Sequence, residues 1–159
     1  MRITILAVGK IKEKYLRDGI AEFVKRLGPF CRLEIKELDE ERMPDDPSAA
    51  QKEQALAREG ERLLKQIPQG SRVFVLDVIG KQQSSEELAE TFSSLAVDGD
   101  SSLTFIIGGA FGLSEDVRKA AHVRLSFSKM TVTHQMIRLL LVEQIYRAFK
   151  IWRGERYHL

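Results

Sequence analysis

Cysteine is almost missing from this chain. Cys31 stands alone among 159 residues, so no internal disulfide can form and no thiolate cluster can hold zinc or an iron–sulfur centre. The three histidines, His122, His134 and His158, do not pair at metal-ligand spacing with a carboxylate, and no metal site is expected. No apolar run approaches the roughly 20 residues of a membrane span. Met1 leads directly into a strand-like segment without a basic and then apolar leader, so a cytoplasmic protein is expected. Proline is scarce, and its four residues fall at Pro29, Pro44, Pro47 and Pro68, between periodic segments rather than inside them. What is plentiful is hydrophobic residues, 43%, enough for one sizeable core.

Net charge is also small, +2, but it is segregated. Residues 1–32 carry 8 basic and 3 acidic side chains, residues 33–117 carry 8 and 18, and residues 118–159 carry 9 and 2. If folding brings the two ends together, they make a basic face suited to phosphates, and an acidic face lies elsewhere. Solvated helix faces would give the same count.

Apolar strands alternate with amphipathic segments. Ile3 to Val8 is a buried strand, and Glu13 to Leu27 a helix with Tyr15, Ile20, Phe23, Val24 and Leu27 inward, ended by Gly28-Pro29. Phe30 to Leu38 alternates like a strand with one wet face. The acidic stretch Asp39 to Pro47 is expected to be a mobile loop. Ser48 with Gln51, and Ser84 with Glu87, are capping-box signatures for two helices. Val73 to Val78 and Leu103 to Ile107 suit buried parallel strands, with a further short strand at Val123 to Phe127. Repetition of strand and helix predicts one α/β domain with a mostly parallel sheet and helices on both faces. The last helix, Gln135 to Trp152, is apolar over two adjoining stripes, more than one sheet requires. A second copy packed across a two-fold axis would cover the excess.

Ligands of parallel sheets sit beyond the carboxyl ends of the strands. Three loops there stand out: Leu76 to Lys81, Gly108 to Gly112, and Ser126 to His134. The glycine loop is G-G-x-x-G, so the dinucleotide fingerprint fails, and Gly9-Lys10 lacks the rest of a P-loop. It is either a plain tight turn or a close approach of backbone to ligand. The third loop mixes hydroxyls with Phe127, Met130 and Lys129, the composition of a heterocycle pocket, although a capped helix start at Thr133 accounts for part of it. His134 is placed either to meet an anion or to cap. The tail Arg153 to Leu159 offers cations, a ring and an imidazole, suited to RNA but also to a frayed terminus.

Four blocks carry a resemblance: Met1 to Lys10; Ile106-Ile107-Gly108-Gly109 with Gly112-Leu113; Leu125 to Thr131; and His134 to Tyr146-Arg147-Ala148 with Tyr157-His158. In combination, and over the full length, the chain resembles the ribosomal large-subunit pseudouridine methyltransferase H family of the SPOUT superfamily. Ala110-Phe111 and Leu159 depart from the family pattern. The resemblance implies a single domain over residues 1–159 whose C-terminal part, about 103–159, is tied in a deep trefoil knot. It implies a homodimer through the C-terminal helix, and methylation of N3 of a pseudouridine in 23S rRNA of the assembled ribosome, with S-adenosylmethionine as donor and no metal. On this resemblance Leu76, Gly108, Gly109, Phe127, Ser128, Lys129, Met130, Thr131 and Val132 hold the cofactor. Arg147, Tyr157, His158 and His134 serve the substrate and its proton. A ribosome-binding factor without transferase activity and a doubly wound nucleotide enzyme are the two competing readings. Intact loops and tail weigh against the former, and the missing phosphate motifs against the latter.

Overall fold

Every residue of β1 (Arg2–Val8) after Arg2 is buried, because the strand is flanked on both sides. It pairs in parallel with β2 (Arg32–Leu38) and with β4 (Ser102–Ile107). Beyond β4 lies β3 (Arg72–Gln82), which carries β5 (Val123–Ser126) on its outer edge. The sheet is therefore all parallel, in the order β2-β1-β4-β3-β5. These observations come from a computed structural model that describes residues 1–157.

Side chains alternate between two layers, as the two-residue period of a strand requires. Ile3, Ile5, Ala7, Phe74, Phe105 and Ile107 face the larger one, where Phe74 stacks on Phe105 at 4.8 Å between ring centroids. This layer is covered by α1 (Lys14–Leu27), α3 (Ser85–Val97) and α5 (Met136–Trp152), with α5 packed between the other two. Leu6, Val8, Val73, Val75 and Ile106 face the smaller layer, covered by Leu63 of α2 (Ala49–Gln66) and Val117 of α4 (Glu115–Ala120). Both capping boxes form: Ser48 and Ser84 each accept the backbone N–H three residues on, and Gln51 and Glu87 reach back.

Four local expectations need correction. Tyr15 is 63% exposed, and Leu16 is buried in its place. Leu16, Ile20, Val24 and Leu27 share one helical face, and Tyr15 precedes it by about 100°. β3 does not stop at Val78; it bulges after Leu76 and re-pairs with β5 at Lys81 and Gln82. Gly80 makes that return possible, since a Cβ there would stand 2.7 Å from the Arg124 backbone. The acidic stretch after β2 is tied at its first three residues. Buried Glu59 accepts the Glu41 N–H at 2.8 Å, Arg62 pairs with the Glu41 carboxylate and donates to the Asp39 carbonyl, and Glu40 faces His134. Finally, the apolar stripe of α5 contains a fully buried cation. Arg138 donates to Glu37 at 3.2 Å and to the Gly9 carbonyl at 3.0 Å. It fastens α5 to the carboxyl end of β1, and burial draws its pKa down despite Glu37 and Glu40.

Candidate functional site

The three loops singled out in the sequence meet in one cleft of about 750 Å³ at the carboxyl ends of the strands. Its walls are apolar: Leu76, Ile107, Leu125, Phe127, Met130 and Val132. Its acidic and basic groups are few, namely Glu13, Asp77, Arg118 and His134.

Each loop has a physical reason for its shape. Gly112 has φ +88°, which lets its N–H close a tight turn onto the Gly109 carbonyl at 3.1 Å. A Cβ on Gly108 would stand 2.4 Å from the Gly112 carbonyl oxygen, so the turn closes only over glycine. The glycine loop is thus a tight turn and a wall of the cleft at once. In the third loop three of the four hydroxyls serve their own backbone. Ser126 donates to the Ser128 carbonyl at 3.0 Å, Ser128 accepts from the Met130 N–H at 3.0 Å, and Thr133 accepts from the Met136 N–H at 3.2 Å. Spent in this way, they fix the loop and leave backbone groups and apolar side chains to face the cleft.

Asp77 joins all of this together. It is 8% exposed as a side chain and accepts from Arg118 Nε at 2.9 Å and from Arg124 at 2.7 Å. Arg118 also donates to the Leu113 carbonyl at 2.7 Å, just past the glycine loop. One carboxylate therefore links the bulge of β3, the glycine loop through α4, and β5. Burial pushes the Asp77 carboxyl up, but the two guanidiniums outweigh it and hold the group below its ordinary value. Nothing in the sequence pattern singled out Asp77, Arg118 or Arg124. The contacts span 41 and 47 residues, beyond any local period.

Of the residues named from the sequence for the cofactor, Leu76, Gly108, Gly109, Phe127, Ser128, Met130, Thr131 and Val132 line the cleft. Lys129 is exposed and does not. His134 also lines it, with Nε2 at 3.4 Å from Glu40 Oε1. Burial lowers the pKa of His134; Arg138 and Lys12 add to that, and Glu40 opposes it. The cleft therefore favours the neutral imidazole.

Arg147 and Tyr157 are brought together elsewhere. Arg147 donates twice to Glu143, at 3.1 and 2.7 Å, and its guanidinium lies 4.8 Å over the Tyr157 ring. The Tyr157 hydroxyl donates to the same Glu143 at 3.1 Å, and burial with the Glu143 charge raises its pKa. Met136 touches the cleft, and Arg147 follows it by eleven residues on α5, about 16 Å along the axis. His158 lies outside the described residues. His122 is exposed, and its Nδ1 accepts the Val73 N–H at 3.0 Å beside the edge of β3.

No helix among the described residues is long and apolar enough to cross a membrane. The fold has counterparts among solved structures. A Bordetella pertussis chain described as a "probable methyltransferase" aligns over 93% of this chain and 95% of its own, with TM-score 0.54 at 16% identity. A Legionella pneumophila protein solved with the cofactor SAM bound covers 93% of this chain and 66% of its own, with TM-score 0.51 at 9% identity. Sequence relatives are nearer. Proteins named ribosomal RNA large subunit methyltransferase H from Halothermothrix orenii and Clostridioides difficile are each 56% identical over 158 residues, 99% of both chains. Residues 1–158 match the family described as "Predicted SPOUT methyltransferase". On full-length agreement with that family and its relatives, the chain belongs to the SPOUT methyltransferases.

Proposed function

We propose that this protein methylates N3 of a pseudouridine in large-subunit rRNA, acting on the assembled ribosome in the cytoplasm with S-adenosylmethionine as donor. The observation that carries the reading is the cleft. Its volume suits a nucleoside-sized ligand, its walls are apolar, and its glycine turn offers bare backbone. Leu76, Gly108, Gly109, Phe127, Ser128, Met130, Thr131 and Val132 would hold the cofactor there, with Lys129 at the rim.

S-adenosylmethionine supplies an electrophilic methyl group on sulfur. The remaining tasks belong to the protein: aligning the base nitrogen with that carbon, and taking the N3 proton as the N–CH3 bond forms and the S–CH3 bond breaks. A neutral His134 can accept a proton. Its Nε2 stands 3.4 Å from the Glu40 carboxylate, which would steady the imidazolium once the proton is taken. His158 is the second candidate for that role. Arg147, braced by Glu143, and Tyr157, set under its guanidinium, present a rigid planar pair for the base.

Both sets of groups must act on one base, yet about 16 Å of helix separates them. A homodimer through α5 resolves this, since two antiparallel copies bring the far end of one α5 to the cleft of the other. Exposed Tyr15, Leu140 and Trp152 on α1 and α5 favour such a contact. The segment from about residue 103 onward is the part that carries the trefoil knot in this reading. β5 re-enters beyond β3, and α5 then returns between α1 and α3.

Nucleoside mass spectrometry of 23S rRNA, with and without this gene, tests the proposal. N3-methylpseudouridine should vanish on deletion and return with the intact gene but not with Arg147→Ala. An unchanged nucleoside profile would overturn it.

A further inference from the structure

At the end of the sheet opposite the cleft, four aromatic rings make a connected ladder. Tyr146 contacts Phe23 at 6.0 Å, Phe30 at 5.8 Å and Tyr157 at 4.8 Å between centroids. Cations lie along it: Arg26 at 5.5 Å over Phe23, Arg153 at 4.5 Å over Phe30, and Arg147 over Tyr157. Basic residues in the last turn of a helix ordinarily answer the helix dipole, which accounts for Lys25 and Arg26 on α1 and Lys150 on α5. Arg153, the C-cap of α5, adds a further cation at that same end.

Arg153 is exposed and shares the Phe30 ring with Lys150. Its guanidinium rests on the Phe30 ring and donates to the Pro29 carbonyl at 3.5 Å. Arg153 forms no ion pair with a carboxylate among the described residues, and Lys25 acts on Glu22 only through space. By contrast Arg26 pairs with Glu22, and Lys150 with Glu155. Arg153, fixed on a ring with no ion pair of its own, keeps its attraction for an anion at a small cost in side-chain entropy on binding, and beside it Lys25 and Arg26 share the one carboxylate of Glu22. The fold also settles the charge pattern of the sequence. Packing of α1 against α5 brings the basic N-terminal and C-terminal segments together, while the acidic stretch after β2 sits near the cleft and α2.

We infer that Lys25, Arg26 and Arg153 form a phosphate-holding ridge for the rRNA strand that carries the target base, continuous through the aromatic ladder with Tyr157 and Arg147. The inference rests on the rRNA reading above. A strand lying on this ridge enters the reaction at the Arg147–Tyr157 pair, away from the carboxylates of residues 39–46.

The test uses Lys25→Glu/Arg153→Glu and the milder Lys25→Gln/Arg153→Gln. Large ribosomal subunits from a strain lacking this gene serve as the probe, and affinity is measured at several salt concentrations. The reversed pair should lose roughly thirtyfold or more in subunit affinity at low salt. The neutral pair should lose less, and its slope of log affinity against log salt should fall by about 1.5, the release expected for two phosphates. Affinity for S-adenosylmethionine and the oligomeric state should stay as in the unmodified protein. Unchanged subunit affinity and slope in both variants would overturn the ridge, as would a change of oligomeric state that accounts for the loss. Failure of the unmodified protein to bind or methylate subunits would instead strike the rRNA reading itself, and the ridge with it.

Discussion

The two ends of α5 are built on opposite plans. At its start, the cleft is made of loops whose polar side chains are consumed in holding their own backbone, and its shape depends on what glycine permits. Toward its other end, the Arg147–Tyr157 cluster is made of long side chains on a helix and in the turn just past it, braced by one shared carboxylate and by ring contacts. Loop backbone suits a ligand that is always the same small molecule. Charged and aromatic side chains suit a large anionic partner that must be gripped and released. The comparison teaches that binding the donor and presenting the substrate are separable, and each can be broken without the other.

The largest effect should come from breaking both and then mixing. Gly108→Val drives side-chain carbon into the Gly112 carbonyl and should abolish cofactor binding, seen as loss of thermal stabilisation by S-adenosylmethionine. Arg147→Ala should keep that stabilisation and lose a hundredfold or more in turnover, the scale of a lost positioning group. Neither variant alone should methylate rRNA. Co-expressed, they should recover up to about a quarter of normal activity, because half of the dimers would be mixed and each would hold one intact composite site. No recovery in verified mixed dimers would show that cleft and cluster act within one copy.

A smaller effect should separate the cleft's frame from its chemistry. Asp77→Asn keeps the shape of the side chain but removes the charge that holds Arg118 and Arg124, so the bulge, the glycine loop and β5 lose their common anchor. The KM for S-adenosylmethionine should rise about tenfold, a weakening on the scale of one charge-assisted hydrogen bond, while kcat stays within about twofold. Steady-state kinetics on large subunits checks this. An equal fall in kcat with KM unchanged would mean that Asp77 bears on the transfer step instead.

The sequence made much of this visible, and the reason differs by element. Strand and helix identities were legible because burial on both sheet faces writes continuous apolar runs, and because capping boxes are local. The cleft was legible as three loops, since the topology of parallel sheets puts ligands at one end. The anchor of those loops was not, because Asp77, Arg118 and Arg124 lie far apart in the chain and none is unusual in its own segment. Arg138 was hidden for a similar reason. A single cation in an apolar stripe gives no hint that Glu37 and the carbonyls of Val8 and Gly9, at the end of β1, await it. Tyr15 misled because one residue of helical phase separates the core face from the cleft rim.

The smallest effect concerns His134, and its sign follows from burial. Folding lowers the His134 pKa below its ordinary value, so the folded protein favours the neutral ring. The unfolded chain then binds more protons than the folded one between the folded pKa and about 6.5. Stability contributed by this group is complete above that window and declines as pH falls through it. The thermal midpoint of the unmodified protein, minus that of His134→Gln, should therefore rise from pH 5 to about 6.5 and stay flat beyond. Glu40 enters the balance with opposite sign, so Glu40→Gln should push the His134 pKa lower still and extend the rise to lower pH while its upper end stays near about 6.5. A difference that does not vary with pH would mean that the ring keeps its ordinary pKa in the cleft. A difference that fell with rising pH would mean that the cleft favours the imidazolium, and His134 would then meet an anion rather than accept a proton.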